Sequence, residues 1–317
     1  MNMTKPTVLL IDGDVICHIA CKDKWHWLQK QRKVPSALWE KSPPKEGYEL
    51  TDAEEIKYLR ESWRHLEVHL QTLCEKLFIT EYLAALKAPT NFRDDLYPDY
   101  KKHRKNKPNG NVTVQLLRDL WLEKDERAIL AHGREADDYL RIWAKEVESV
   151  GGKYIIGSID KDLRCIEGLH YNLKTNELTT VTPYDALKLY YEQLLKGDPT
   201  DNIPGLPRVG DIRAAEILSA CTTEEEFQEE VILAYMNSYG DDWEDYLLSN
   251  GKMIHLQSNE NDYFSLNNWP LACMLRANKV PKKILIKNEV TENPEETKTV
   301  MQVVASDDDG IGSLRLF

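Results

Sequence analysis

Short apolar runs, each followed by a stretch with helical spacing, constrain this chain more than any other feature. Val8-Leu9-Leu10-Ile11 ends at Asp12-Gly13-Asp14, and residues 78–86, 128–131, 154–157 and 170–173 read as further strands. Between the first two, Ile56, Leu59, Trp63, Leu66, Leu70, Leu73 and Leu77 alternate spacings of three and four, the stripe of a core-facing helix. Residues 112–122 and 134–150 also read as helices. Strands alternating with helices predict an α/β fold with a mostly parallel sheet and helices on its faces. Past Pro183 the strand signal fades, and the pattern is helical to about Ala277. The expected division is an α/β core over 1–182 with a basic segment at about 91–111, a helical region over 183–280, and a Pro-, Glu- and Asp-rich segment over 281–317. Within that last segment, residues 282–287 read as one more strand.

The net charge of −12 over 317 residues looks unsuited to a polyanion binder, but it is unevenly spread. Residues 289–309 hold seven acids against Lys298, and eight acids considered below carry another −8. Setting both aside leaves +2, so the acidity does not exclude a nucleic-acid substrate. The six cysteines include no CxxC pair, and Cys17 and Cys21 read as small buried hydrophobes on one helix face. A reduced, cytoplasmic setting is expected, in a host cytosol if the chain is phage-encoded. No signal peptide or membrane-spanning run is read, and nothing points to an obligate oligomer, so a monomer is expected.

Four acidic clusters stand where such a fold places chemistry. Asp12, with Asp14, ends the first strand. Glu135, Asp137 and Asp138 open a helix. Asp160 and Asp162 flank Lys161 beyond the fourth strand, and Asp198 and Asp201 open the helical region. Singly, each has an ordinary structural explanation, such as helix capping or a solvated turn. Converged, two carboxylates at 4 Å repel by about 4 kcal/mol at an effective dielectric near 20, and divalent cations are the usual remedy. In open α/β sheets ligands bind beyond the carboxyl ends of the strands, where at least two of these clusters fall.

In Gly197-Asp198-Pro199-Thr200-Asp201-Asn202-Ile203-Pro204-Gly205-Leu206-Pro207-Arg208-Val209-Gly210, an acid pair precedes two glycines five apart. Lacking Cβ, glycines let backbone N–H groups approach a phosphate. Lys101, Lys102, Arg104, Lys105 and Lys107 form a basic run whose plainest reading is a solvated loop.

Together with Leu10-Ile-Asp-Gly-Asp14, Asn91-Phe-Arg93, Tyr100-Lys-Lys-His-Arg104, Glu135-Ala-Asp-Asp138 and Asp160-Lys-Asp-Leu163, these motifs resemble the 5′-nuclease superfamily of flap endonucleases and 5′→3′ exonucleases, most of all those of short-tailed bacteriophages. The resemblance spans roughly residues 7–220. It implies a PIN-like or resolvase-like nuclease core followed by a helix–three-turn–helix at about 198–220. It also implies a first metal cluster of Asp12, Glu135, Asp137 and Asp138, and a second of Asp160, Asp162, Asp198 and Asp201. These would hold two or more Mg²⁺ ions, with Mn²⁺ able to substitute. Tyr100, Lys101 and Arg104 would form the catalytic gateway segment. Lys102, Lys105, Gly205, Arg208, Val209, Gly210 and Arg213 would contact duplex DNA, with K⁺ at the turn.

The implied partner is DNA with 5′ ends or flaps, or an RNA–DNA hybrid, and the implied reaction is metal-dependent 5′→3′ hydrolysis of phosphodiesters in phage DNA replication or recombination. One departure stands out. Relatives carry another metal-binding Asp near the end of the second strand, whereas residues 83–93 contain no acid, which leaves Asp14, Asp94 or Asp95 to compensate. A member that binds branched or 5′-ended DNA without cutting it is therefore a competing reading, and an RNA-cleaving nuclease is a third. The acidic, Phe-ended tail beyond residue 305 suggests either a replication-protein contact or a solubilising tail.

Overall fold

The computed structural model describes residues 7–21, 23–41, 49–102, 112–277, 301–304 and 313–316. Arg104, Lys105, the 282–287 strand expectation and the acidic tail lie outside these residues.

A six-stranded sheet organises the chain, in the order β3-β2-β1-β4-β5-β6. Its strands are β1 (Thr7–Asp12), β2 (Glu81–Asn91), β3 (Ala128–Gly133), β4 (Lys153–Ser158), β5 (Gly168–Asn172) and β6 (Leu178–Val181). The first five run parallel, and β6 returns antiparallel to β5. The sequence signal for β6 was missed. Alternation along β1 sends Leu9 and Ile11 to one face of the sheet and Leu10 to the other. The first face is covered by α1 (Gly13–Ala20), by α3 (Asp52–Leu77), which follows the short α2 (Lys24–Gln31), and by α5 (Val112–Lys124), through Ile16, Leu66, Leu70, Leu73, Leu117 and Trp121. Cys17 and Cys21 are buried there, as expected. A Thr51–Glu54 capping box starts α3. The apolar stripe holds from Leu59 onward, with Leu59 and Trp63 partly buried against the core; Ile56 is exposed, and Tyr58 turns inward to donate to the Cys21 carbonyl. Phe78 does not open a strand. It caps α3 in the left-handed region and is 95% exposed, so β2 begins at Glu81.

The second face is covered by α6 (Ala136–Ser149), whose Ala136, Leu140 and Ala144 pack on Leu10, Ala85 and Ile156. The helical part follows as α7 (Pro183–Lys196), α8 (Asp211–Ile217), α9 (Glu224–Tyr239), α10 (Trp243–Ile254) and α11 (Pro270–Arg276). Residues 1–280 form one compact unit. The buried Arg93, on the short α4 (Phe92–Leu96), ties the sheet to the helical part by donating to the carbonyls of Met253 and His255. Residues 281–317 form a second unit, in which β7 (Met301–Val304) and β8 (Ser313–Leu316) pair antiparallel. Among the described residues no helix is long and apolar enough to cross a membrane.

Candidate metal-dependent active site

The strand order reverses at β1, which has β2 on one side and β4 on the other, and this switch point is where open α/β sheets bind ligands. Asp12 ends β1, and Asp160 lies two residues past the end of β4. Ser158 joins them: its hydroxyl donates to Asp12 Oδ2 at 3.1 Å and accepts from the Asp160 amide at 3.0 Å. Glu135 caps α6 and places Asp137 in its first turn. A pocket of about 110 Å³ opens here, lined by Glu135, Asp137, Asp160, Asp162, Asp198 and Asp201, with Lys101 and Tyr100 on its wall.

The electrostatics show the strain of this assembly. Burial, then Asp14, pushes the Asp12 carboxyl up to about 7. Asp137 is held well above the ordinary carboxylate range by burial and by the charges of Asp12, Glu135 and Asp160. Asp162 is raised by burial, Asp160 and Asp198, while Gln193 donates to it at 2.7 Å. Added positive charge would relieve the raised carboxyls, and the donors are all oxygen, the chemistry of a hard divalent cation. Among the described residues, however, no three His, Cys, Asp or Glu side chains already converge as a ready-made metal site. The donor chemistry fits such an ion; the side-chain positions leave it to be gathered.

Several expected ligands are engaged elsewhere. Asp138 is fully buried and receives both ends of the Arg93 guanidinium, at 2.6 and 2.9 Å. The Glu135 and Gln257 amides also donate to it. Burial alone would raise its pKa, but Arg93 holds it below the ordinary value. Both oxygens of Asp138 thus clamp Arg93. Glu135 accepts from Tyr100 Oη at 2.8 Å and pairs with Lys101 Nζ at 2.5 Å. Lys101 also reaches Asp201 at 3.3 Å, and against the downward pull of burial these two acids raise its pKa. Tyr100 is 1% exposed, and its proton is held by burial and Glu135, so it positions Glu135 instead of meeting solvent.

The acid-free stretch of β2 has a clear geometry. Ala85 pairs in register with Asp12 and is fully buried. Asp14 does not take over: it accepts from the Lys87 amide at 2.9 Å and pairs with Arg118 Nε at 3.0 Å. Asp94 is spent in a capping box with Asn91, and Asp95 lines a different pocket. The importance of Arg93 escaped the sequence reading, where it was only half of a Phe-Arg pair.

The glycine turn is a strained, tightly closed unit. Asp198 and Ile203 exchange backbone hydrogen bonds, and Gly197 and Gly205 take φ of +68° and +61°. A Cβ on Gly205 would fall 2.2 Å from the Lys196 carbonyl carbon. Gly205→Ala is therefore expected to cost at least about 1–3 kcal/mol, read as a lowered denaturant midpoint. Arg208 (φ +62°) and Gly210 are exposed, Val209 is half-buried, and nothing lies within 4 Å of where a Gly210 Cβ would stand. Arg213 is exposed and pairs with Glu216, and exposed Lys102 pairs with Asp99.

The fold and site define an α/β protein with an acidic crevice at the switch point of its sheet. Residues 63–189 match the model of the 5′-3′ exonuclease N-terminal resolvase-like domain. The flap endonuclease Xni of Shewanella oneidensis is 30% identical over 142 residues, 42% of this chain and 54% of that protein. DNA polymerase I of Rhizobium leguminosarum is 30% identical over 140 residues, 40% of this chain and 14% of that protein. The aligned stretch thus spans between a seventh and about half of these relatives. Among solved structures, the T5 D15 protein co-crystallized with metal ions is 14% identical, covering 78% of this chain and 95% of its own, with a TM-score of 0.45.

Proposed function

We propose that this chain is a metal-dependent 5′→3′ exodeoxyribonuclease that also cuts 5′ flaps, acting on duplex DNA in replication or recombination. The observation that carries the reading is the crowding of Asp12, Asp137 and Asp160, which drives carboxyl protons upward at the switch point. Asp12, Asp137, Asp160, Asp162, Asp198 and Asp201 would hold Mg²⁺ or Mn²⁺, and such ions would activate a water and neutralise charge on the scissile phosphate. Lys101, on the pocket wall, offers its ammonium to a phosphate oxygen, while Tyr100 fixes the Glu135 carboxylate beside it. Arg93, through Asp138, anchors the first turn of α6 and so the direction of Asp137. The exposed Arg208 and Gly210 would follow the duplex backbone, and a K⁺ ion would suit the turn's carbonyls. An RNA strand in a hybrid and a replication partner for the tail extend the same proposal.

A second reading keeps DNA binding without cleavage. Ala85 beside Asp12, with Asp14 committed to Arg118, favours it. The deciding assay follows 3′-labelled duplex and 5′-flap DNA with Mg²⁺ or EDTA, for the wild type and Asp160→Asn. Metal-dependent shortening from the 5′ end that Asp160→Asn loses is the expected result. Tight binding with no cleavage, even in Mn²⁺, would leave only the binding reading standing.

A further inference from the structure

The helix that presents Asp137 to the acidic pocket carries Arg141 and Lys145 at the next two four-residue steps, on the same side. These two cations line a separate cleft of about 680 Å³, within the usual range for ligand sites of roughly 300–1,000 Å³. Lys145 is neutralised by Glu148 at 2.9 Å and Glu167 at 3.3 Å. Arg141 is not: its Nε is buried without a hydrogen-bond partner. The cleft's acids are otherwise committed, Asp262 to His255 and Ser258, and Glu224 to the Tyr191 hydroxyl. A guanidinium Nε left unmatched in so acidic a chain points to an anionic ligand.

A second orphan lies within the wall of the same cleft. Gln228 is 8% exposed, and its Oε1 is buried with no donor. An unsatisfied buried acceptor costs on the order of 1–3 kcal/mol, so a ligand N–H is the natural complement. Around these two atoms the walls are aromatic. Tyr191 lies 5.8 Å from Trp269 and stacks on Phe227 at 5.3 Å, and Tyr184, 42% exposed, edges the opening. An anion, a planar group and an N–H edge belong together in one ligand class.

We propose that this cleft binds a nucleoside monophosphate, with its phosphate on Arg141, its base against the aromatic wall and a base N–H donated to Gln228 Oε1. The site is distinct from the acidic pocket, the two sharing only Cys165 as a common wall. Binding here requires no cleavage, so the idea stands or falls separately from the nuclease reading.

The test is calorimetric titration of the full chain with dAMP, dGMP, dCMP and dTMP in EDTA, where the acidic pocket repels the anion. Saturable binding of at least one nucleotide is expected, weakened at least tenfold when the phosphate is absent and at least tenfold by Arg141→Gln. Arg141→Lys should recover part of the loss, and Tyr184→Ala should weaken binding independently should Arg141→Gln fail to fold. No saturation by millimolar nucleotide would overturn the proposal, as would affinities indifferent to Arg141 and Tyr184. Arg141-dependent binding of a 5′-phosphorylated trinucleotide, with none of the free nucleotides, would assign the cleft to a DNA strand and equally end it.

Discussion

Arg93→Ala should destabilise the protein by about 3–5 kcal/mol, the usual consequence of leaving a buried charge without its partner. The guanidinium is 1% exposed and makes two bonds to Asp138, plus one each to the carbonyls of Met253 and His255. Its loss strands the Asp138 carboxylate and two carbonyls at once. Urea unfolding measures the effect, and Asp138→Asn in the same background separates its causes. If the stranded charge dominates, the double variant should recover about 0.5–3 kcal/mol through the coupling of the pair. A single variant that costs under about 1 kcal/mol would show that Arg93 is not the clamp described.

The acid limb gives a second check on the same pair. Asp138 has a depressed pKa in the native state, so its contribution is present above the unfolded-state value and is lost as pH falls through the native one. Arg93→Ala removes the cause of that depression. The variant's stability should therefore decline less steeply below about pH 4 than the wild type's.

Why Arg93 was invisible in the sequence while the acids were not is a matter of distance along the chain. Its partners lie 45, 160 and 162 positions away, and no local spacing encodes such bonds. Asp12, Asp160 and Asp137 were legible because strand ends and helix starts are local features, and the parallel sheet then fixes which edge they share. The resemblance implies a metal ligand at Asp138, and nothing local in the sequence shows that Arg93 bonds both of its oxygens. Strand β6 failed for a related reason: Leu178-Thr179-Thr180-Val181 is a short edge strand with only Val181 buried, so it shows no strong apolar pattern. Ile56 was assigned inward by periodicity, yet its turn of α3 is oriented by Tyr58, whose hydroxyl bonds to Cys21 far upstream.

Asp137→Asn should make the metal-free protein more stable while abolishing cleavage. Burial and three neighbouring acids hold the Asp137 carboxyl well above its ordinary pKa, so the native state keeps a proton that the unfolded chain releases near pH 4. Across that window the unfolded state binds fewer protons, and wild-type stability falls as pH rises. Asn carries no such titration. The variant's advantage should therefore be near zero below about pH 4 and grow steadily as pH rises to 8. Mg²⁺ should narrow that gap by stabilising the wild type and leaving the variant unmoved. Thermal unfolding at pH 4 and pH 8, with Mg²⁺ or EDTA, tests each part. Cleavage should drop at least about 100-fold, the scale seen when groups that tune a metal site are lost. A variant destabilised equally at both pH values would mean that Asp137 is a structural cap, and the acidic pocket would lose its main claim to be a stored demand for cations. Stability gained where activity is lost is the mark of residues placed for chemistry at the expense of the fold.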